Sequence, residues 1–230
     1  MVDFQKRDTR RGLDGGGDGD DQSDVGGTSA PADATDDGQD AHHHHHDHGH
    51  AHDNQETGHG HHAHDVSTVG AAVVTVSSTR SLEDDPAGDA IVRAFEAAGD
   101  SVVTRELIAD SYDGIQHTVS TLVGRADIDV VVTTGGTGVT PDDVTVEAVD
   151  PLFGKTLPGF GELFRLLSYD EIGTRVVGTR AVAGVADGVP VFCLPGSENA
   201  ARLGTEEIIV EEAGHLAGLA HREEAEEGEE

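Results

Sequence analysis

Cysteine, tryptophan, lysine and long apolar runs are scarce or missing in this 230-residue chain, and each shortage excludes something. The single cysteine, Cys193, cannot form an intrachain disulfide, which fits a reducing compartment. The only lysines are Lys6 and Lys155, and 45 acidic residues face 14 basic ones, so the cationic stripes that displace counterions from nucleic acid are lacking. Nucleic-acid binding is excluded as a function class. The longest apolar stretches, such as 70–76, fall far short of the roughly 18 residues of a membrane span, and no apolar signal-peptide core follows the basic N-terminal segment. The sequence therefore predicts a soluble, cytoplasmic protein that makes no membrane contact.

What the chain has instead is acid. Its formal net charge is -31, and the surplus is spread along it: 15 acids and 4 bases over residues 1–66, then 30 acids and 10 bases over residues 67–230. Self-repulsion on that scale destabilises a compact state in dilute salt. At about 1 M salt the Debye length falls to roughly 3 Å, so a carboxylate-covered surface stops repelling itself. Many acids, few lysines and few aromatics together resemble the proteins of extreme halophiles.

The chain changes character near residue 66. Between Gly12 and Asp65 the large apolar side chains are only Leu13 and Val25. Such a segment cannot offset the entropy of ordering, so residues 1–66 are expected to be a disordered acidic tail. Within it, 41–64 carry 12 of the 15 histidines, beginning with His42, His43, His44, His45, His46, His48, His50 and His52. Clustered imidazoles bind Zn, Ni or Cu weakly and adaptably. A polar low-complexity linker and a purification tag are the other readings.

Residues 67–222 have the pattern of a folded domain, followed by an acidic end at 223–230 that is expected to fray. Short β-branched runs at 70–78, 102–107 and 128–134 read as strands, the first and third of them buried. Helical stripes lie between them, Ile91, Ala94, Phe95 and Ala98 before a terminating Gly99, then Ile115, Val119, Leu122 and Val123. Alternation of strand and helix predicts an α/β fold with a mostly parallel sheet covered on both faces. A further helix is expected around 159–167. Residues 181–185 and 189–194, joined through Asp187 and Gly188, read as a β-hairpin appended to the sheet. Ser197 then caps a last helix.

Ligands of open α/β sheets gather where the strands end at their carboxyl side. The third strand runs into Gly135, Gly136, Thr137 and Gly138, a loop whose backbone N–H groups can cradle phosphate oxygens. Beside it stand Asp142 and Asp143. Carboxylates repel phosphates unless a divalent cation lies between, so the pairing implies Mg²⁺.

Taken in order, 133–149 (TTGGTGVTPDDVTVEAV), 158–165 (PGFGELFR) and 194–197 (LPGS) resemble the MoaB/MogA family of molybdenum cofactor biosynthesis proteins. The stretches 82–91, 166–175 and 180–188 bring the chain nearest the MoaB branch. The resemblance covers nearly all of 70–221 and none of the tail. It implies a three-layer α/β domain assembling as homo-trimers or hexamers, in company with other molybdenum cofactor enzymes. The implied activity is adenylyl transfer from Mg-ATP to molybdopterin, giving adenylated molybdopterin and pyrophosphate. Matched residue by residue, Asp110 and Asp143 take the catalytic positions. Asp143, with Asp110 as second candidate, holds Mg²⁺, while Glu162, Ser197 and the glycine loop contact substrate. The alternative is a non-catalytic molybdopterin-binding or scaffold protein of the same pathway.

Several residues keep two readings at this stage. Asp110 is either a cleft acid or the cap of a helix starting near Asp113, and Asp143 either holds metal or initiates a turn. Glu162 is a substrate contact or a first-turn helix acid. Lys155, Arg165, Arg175 and Arg180 are candidates for anion contacts, and Cys193 is a core residue. The charge reading generates a first prediction. Melting midpoints of the domain freed of its tail are expected to rise from about 0.1 to 3 M KCl; a flat or falling midpoint rejects it.

Overall fold

The computed structural model describes residues 65–227. The expected tail falls outside that range except for Asp65 and Val66, and its histidine tract lies wholly outside it. Val66 already touches the domain, its N–H donating to Gly214 O at 3.0 Å.

Strand β1 (Gly70–Val76) is buried along its whole length, as a β-branched run covered on both faces must be. Helix α1 (Pro86–Ala98) follows, entered through Asp85, whose carboxylate accepts from Gly88 N–H, and stopped at Gly99. Strand β2 (Ser101–Ile108), helix α2 (Tyr112–Val123) and strand β3 (Val130–Thr134) continue the alternation. A short α3 (Thr145–Val149), the two-residue strand β4 (Lys155–Thr156) and α4 (Pro158–Ile172) lead to the hairpin β5 (Val182–Ala186) and β6 (Val189–Leu194). The chain closes with α5 (Glu198–Gly204), a π-turn over Thr205–Ile209, and α6 (Val210–Glu227).

The six strands lie in the order β2-β1-β3-β6-β5-β4. Strands β1, β2, β3 and β6 are mutually parallel, and β5 runs antiparallel to both of its neighbours. The hairpin turn is the expected one: Asp187 and Gly188 both have positive φ, 46° and 76°, as two-residue turns of this kind require. Its placement differs from the expectation of an appended hairpin. Strand β6 pairs with β3 inside the sheet, which is why all six of its residues are buried. The last helix also differs, being broken by the π-turn, where the buried Thr205 hydroxyl donates to Ala201 O at 2.7 Å. Helix α6 continues past Arg222, where the sequence predicts fraying.

Alternate residues of the central strands face opposite sides. Ala71, Val73, Val130, Val132, Phe192 and Leu194 meet Ile91, Phe95, Phe160, Phe164 and Ile209 from α1, α4 and the C-terminal helices. On the other face Ala72, Val74, Val131, Val191 and Cys193 meet Ile115, Val119 and Leu122 from α2 and Val149 from α3. The result is three layers, helix on sheet on helix. Burial pushes the Cys193 thiol up to about 12, so it is inert packing, as read from its apolar strand. Phe95 is wholly buried in the first core, and Phe95→Ala is expected to cost about 3–5 kcal/mol. Denaturant unfolding at fixed salt measures it; a loss below about 1 kcal/mol contradicts the packing described.

Candidate active site

Strand order makes the site. From β1 the chain moves outward to β2 and then back across to β3, so the loops leaving β1 and β3 part in opposite directions and open a crevice at the carboxyl edge. A cleft of about 390 Å³ lies there. It is lined by Ser77–Arg80 after β1, Asp110 after β2, Gly135–Gly138 and Asp143 after β3, and Pro195 and Gly196 after β6.

The glycine loop is held by short-range constraints. Gly135 and Gly136 have φ of 104° and 65°, a region closed to most side chains. A Cβ on Gly135 would lie 2.2 Å from Val76 O, and one on Gly136 would lie 2.3 Å from Thr145 Oγ1. Thr145 is buried and fixes the loop twice, its hydroxyl donating to Gly135 O at 2.8 Å and its N–H to Gly136 O at 2.9 Å. Gly135 N–H donates to Leu194 O, tying the loop to the end of β6.

The two aspartates reach the same cleft by different routes. Asp143 accepts from Thr140 N–H at 2.8 Å and from Thr140 Oγ1 at 2.6 Å. Partial burial raises its carboxyl, but those bonds and the Gly138 N–H outweigh burial and hold it below the usual carboxylate range. It is an anion at neutral pH. Asp110 accepts from Ser78 N–H and Ser78 Oγ, both at 2.8 Å, and so ties the β2 exit to the β1 exit. It does not cap α2; Ser111 does, accepting from Gly114 N–H at 3.2 Å.

Other candidates are placed elsewhere. Glu162 is exposed on α4, just past its first turn, so it is not the first-turn helix acid of the second reading, and it is not part of the cleft lining. Its neighbour Gly161 serves packing, since a Cβ there would lie 2.8 Å from Ala181 O. Ser197 caps α5, accepting from Ala200 N–H at 3.3 Å, one residue beyond the lining. Arg180, read as a candidate anion contact, is engaged within the protein. Its guanidinium donates to Gly138 O at 2.7 Å, to Asp143 O at 3.1 Å and to the Glu147 carboxylate, bracing the loop from behind. Lys155, Arg165 and Arg175 do not line the cleft.

Sequence reasoning missed Thr145, Ser77–Thr79 and Arg80. Arg80 is half-buried; Nη2 donates to Gly196 O at 2.9 Å and Nη1 lies 3.7 Å from Asp85 Oδ1. Asp85 is sealed beneath, accepting from Thr75 Oγ1 at 2.6 Å and from Arg105 Nη2 at 3.0 Å. The signal was present only as an arginine shortly after a strand, and nothing local distinguishes it from a solvated one. Among the described residues no group of three His, Cys, Asp or Glu gathers as a metal cage, and no helix is long and apolar enough to cross a membrane.

A doubly covered, mostly parallel sheet with a cleft at its switch point defines an α/β domain of the doubly wound kind, in which ligands gather at that edge. The model of the probable molybdopterin binding domain family matches residues 72–215, and the chain belongs to that family. Molybdenum cofactor biosynthesis protein B of Halalkalibacterium halodurans is 44% identical over 150 residues, 65% of this chain and 88% of that protein. The Escherichia coli protein of the same name is 43% identical over 138 residues, 60% of this chain and 81% of that one. A crystal structure of molybdenum cofactor biosynthesis protein B superposes with a TM-score of 0.66 at 41% identity, covering 67% of this chain and 97% of that chain. The tungsten cofactor synthesizing protein MoaB from Pyrococcus furiosus gives 0.61 at 39% identity, covering 67% and 98%.

The buried ion pair behind the cleft has a pH signature. Burial raises the Asp85 carboxyl, but Thr75, Arg105 and Gly88 N–H together hold it below its ordinary value. Its stabilisation is therefore complete above the ordinary aspartate range near pH ~4 and is lost as pH falls through the lower folded-state value. Unfolding at constant KCl from neutral pH down through about 4 is expected to show an acid limb that Asp85→Asn flattens. A variant whose stability falls as steeply as that of the parent excludes Asp85 as its source.

Proposed function

We propose that this chain acts in molybdenum or tungsten cofactor biosynthesis and there catalyses transfer of AMP from ATP to the phosphate of molybdopterin. The carrying observation is one cleft in which a glycine loop at the end of β3 faces two carboxylates, Asp110 and Asp143. Two phosphate-bearing substrates need such a place. An oxygen of the molybdopterin phosphate forms the new bond to the α-phosphorus, and the bond from that phosphorus to the β-phosphate bridging oxygen breaks. Pyrophosphate leaves with the electron pair. The attacking oxygen is already anionic, so no general base is needed, which agrees with an Asp143 kept ionised.

The donor set fits Mg²⁺. It is all oxygen, with two carboxylates and, among the described residues, no third acidic ligand gathered with them, and Mg²⁺ completes its octahedron with water and substrate phosphates. Asp143 and Asp110 would hold the ion, whose chemistry is to neutralise phosphate charge. The loop N–H groups of Gly136 and Thr137 orient phosphate oxygens and stabilise charge that builds during transfer, while the Gly138 N–H stays with Asp143. Thr145 and Arg180 keep that loop from relaxing.

Asp143→Asn preserves the acceptor for Thr140 and so keeps the fold. It is expected to retain molybdopterin binding and to lose transfer by about 10²-fold, on the order of 3 kcal/mol in the barrier. Single-turnover AMP transfer in high KCl with saturating Mg²⁺ measures this. Near-parental rates exclude the charge role of Asp143. A parental protein that binds molybdopterin but transfers nothing replaces the reading with a non-catalytic carrier.

A further inference from the structure

Among the described residues Arg80 is the only Lys or Arg lining the cleft, in a chain where acids outnumber bases 45 to 14. It differs in kind from Arg180. The Arg180 fork meets Glu147 directly and is neutralised there. Arg80 instead crosses from the β1 exit to the β6 exit, with Nη2 on the Gly196 carbonyl at 2.9 Å. Its carboxylate neighbour stands back at 3.7 Å, beyond hydrogen-bond length, and belongs to Asp85, whose side chain is wholly buried.

The surroundings of Asp85 explain how a positive side chain stays at that spot. Oδ2 accepts from Thr75 and Arg105, while Oδ1 accepts from Gly88 N–H at 3.1 Å and faces Arg80. Arg105 is in turn paired with Asp89 at 2.7 Å. One buried carboxylate thus sits between two guanidinium groups. Without its charge Arg80 and Arg105 would repel, and Arg80 would turn toward water. With it, Arg80 is held at the cleft wall, which it lines together with Ser77, Ser78 and Thr79.

We infer that Arg80 receives the phosphate monoester of the acceptor substrate, and that Asp85 is the positioning residue that holds the Arg80 guanidinium for it. The assignment rests on reading this cleft as a phosphate-transfer site and adds which half of it takes which group. The β1 exit, with Arg80, takes the monoester, and the glycine loop with Asp143 takes the nucleotide phosphates. A guanidinium fork matches a dianionic monoester with two parallel bonds, a match that a point charge such as lysine does not reproduce.

The test uses the full chain in the KCl that keeps it folded, with phenyl phosphate as probe and ³¹P line broadening as readout, first in EDTA and then in saturating Mg²⁺. Arg80→Ala is expected to weaken probe binding at least about tenfold in the condition that binds more tightly, and Arg80→Lys to recover only part of it. Asp85→Asn is expected to weaken it less, and Thr75→Val, which removes one donor from Asp85 at constant volume, to weaken it least. If Asp85 acts through Arg80, the Asp85→Asn effect disappears in the Arg80→Ala background, an outcome that a general loosening of the fold does not produce. Should Asp85→Asn fail to fold, the Thr75→Val effect is measured in both backgrounds instead. Equal probe binding by the parent and Arg80→Ala in both conditions, or effects at Asp85 or Thr75 that persist undiminished without Arg80, would overturn the inference. Because the readout involves no turnover, a parent that transfers no AMP yet shows Arg80-dependent binding overturns only the adenylyl-transfer reading.

Discussion

Everything in the cleft depends on how closely the ends of β1 and β3 approach. At Gly135 the backbone turns so near Val76 O that a single added carbon would lie 2.2 Å from it. That approach sets the loop's direction, and Thr145 and Leu194 then fix it by bonds to Gly135 and Gly136. A wider spacing would leave the loop N–H groups to find partners among themselves. The parallel pairing of β1 with β3 is therefore part of the site, since it brings Val76 and Gly135 to the same edge.

A second constraint is the shortage of positive charge. The structure uses arginine where one side chain can serve several acceptors. Arg180 braces three carbonyls and a carboxylate, and Arg105 joins Asp85, Asp89 and the Asp85 carbonyl. Lysine, a point donor on a flexible stem, performs such bridging poorly. The acids are managed by the same economy. Asp143, Asp110 and Asp85 each accept at least two bonds from nearby N–H or O–H groups, so their acceptor sites are met without a lysine for each.

Much of the scaffold was legible because burial on both faces writes itself into the sequence as continuous apolar runs. Strands β1, β3 and β6 were visible for that reason, and the stripes at Ile91–Ala98 and Ile115–Val123 carried the helical period. Position within the sheet was not legible. The order of β6 between β3 and β5 comes from pairing across about sixty residues, as in Val132 with Phe192, and no local pattern encodes it. Strand β4 escaped because two exposed residues have no period. In the site, the glycine loop and Asp143 were readable as neighbours in sequence. Arg80 was not, because its partner Gly196 lies 116 residues away, and the bracing contacts of Arg180 were not, because its acceptors, Gly138 and Glu147, lie far upstream.

The composition and the site then bear on one another. A surface of net charge -31 repels phosphates at long range in dilute salt, and at about 1 M salt, with a Debye length near 3 Å, no long-range attraction survives to be used. In neither case does the protein's overall field deliver a phosphate to the cleft. Only interactions that act at contact remain, namely backbone N–H groups, one guanidinium and a cation shared between carboxylate and substrate. These are the kinds of group that line the cavity or fit its donor set. Contact interactions of this kind depend on geometry more than on net charge. The surface can therefore accumulate acid for its own reasons while the cleft keeps its chemistry, provided that Gly135, Thr145 and the Asp85–Arg105 pair hold the loops where they are.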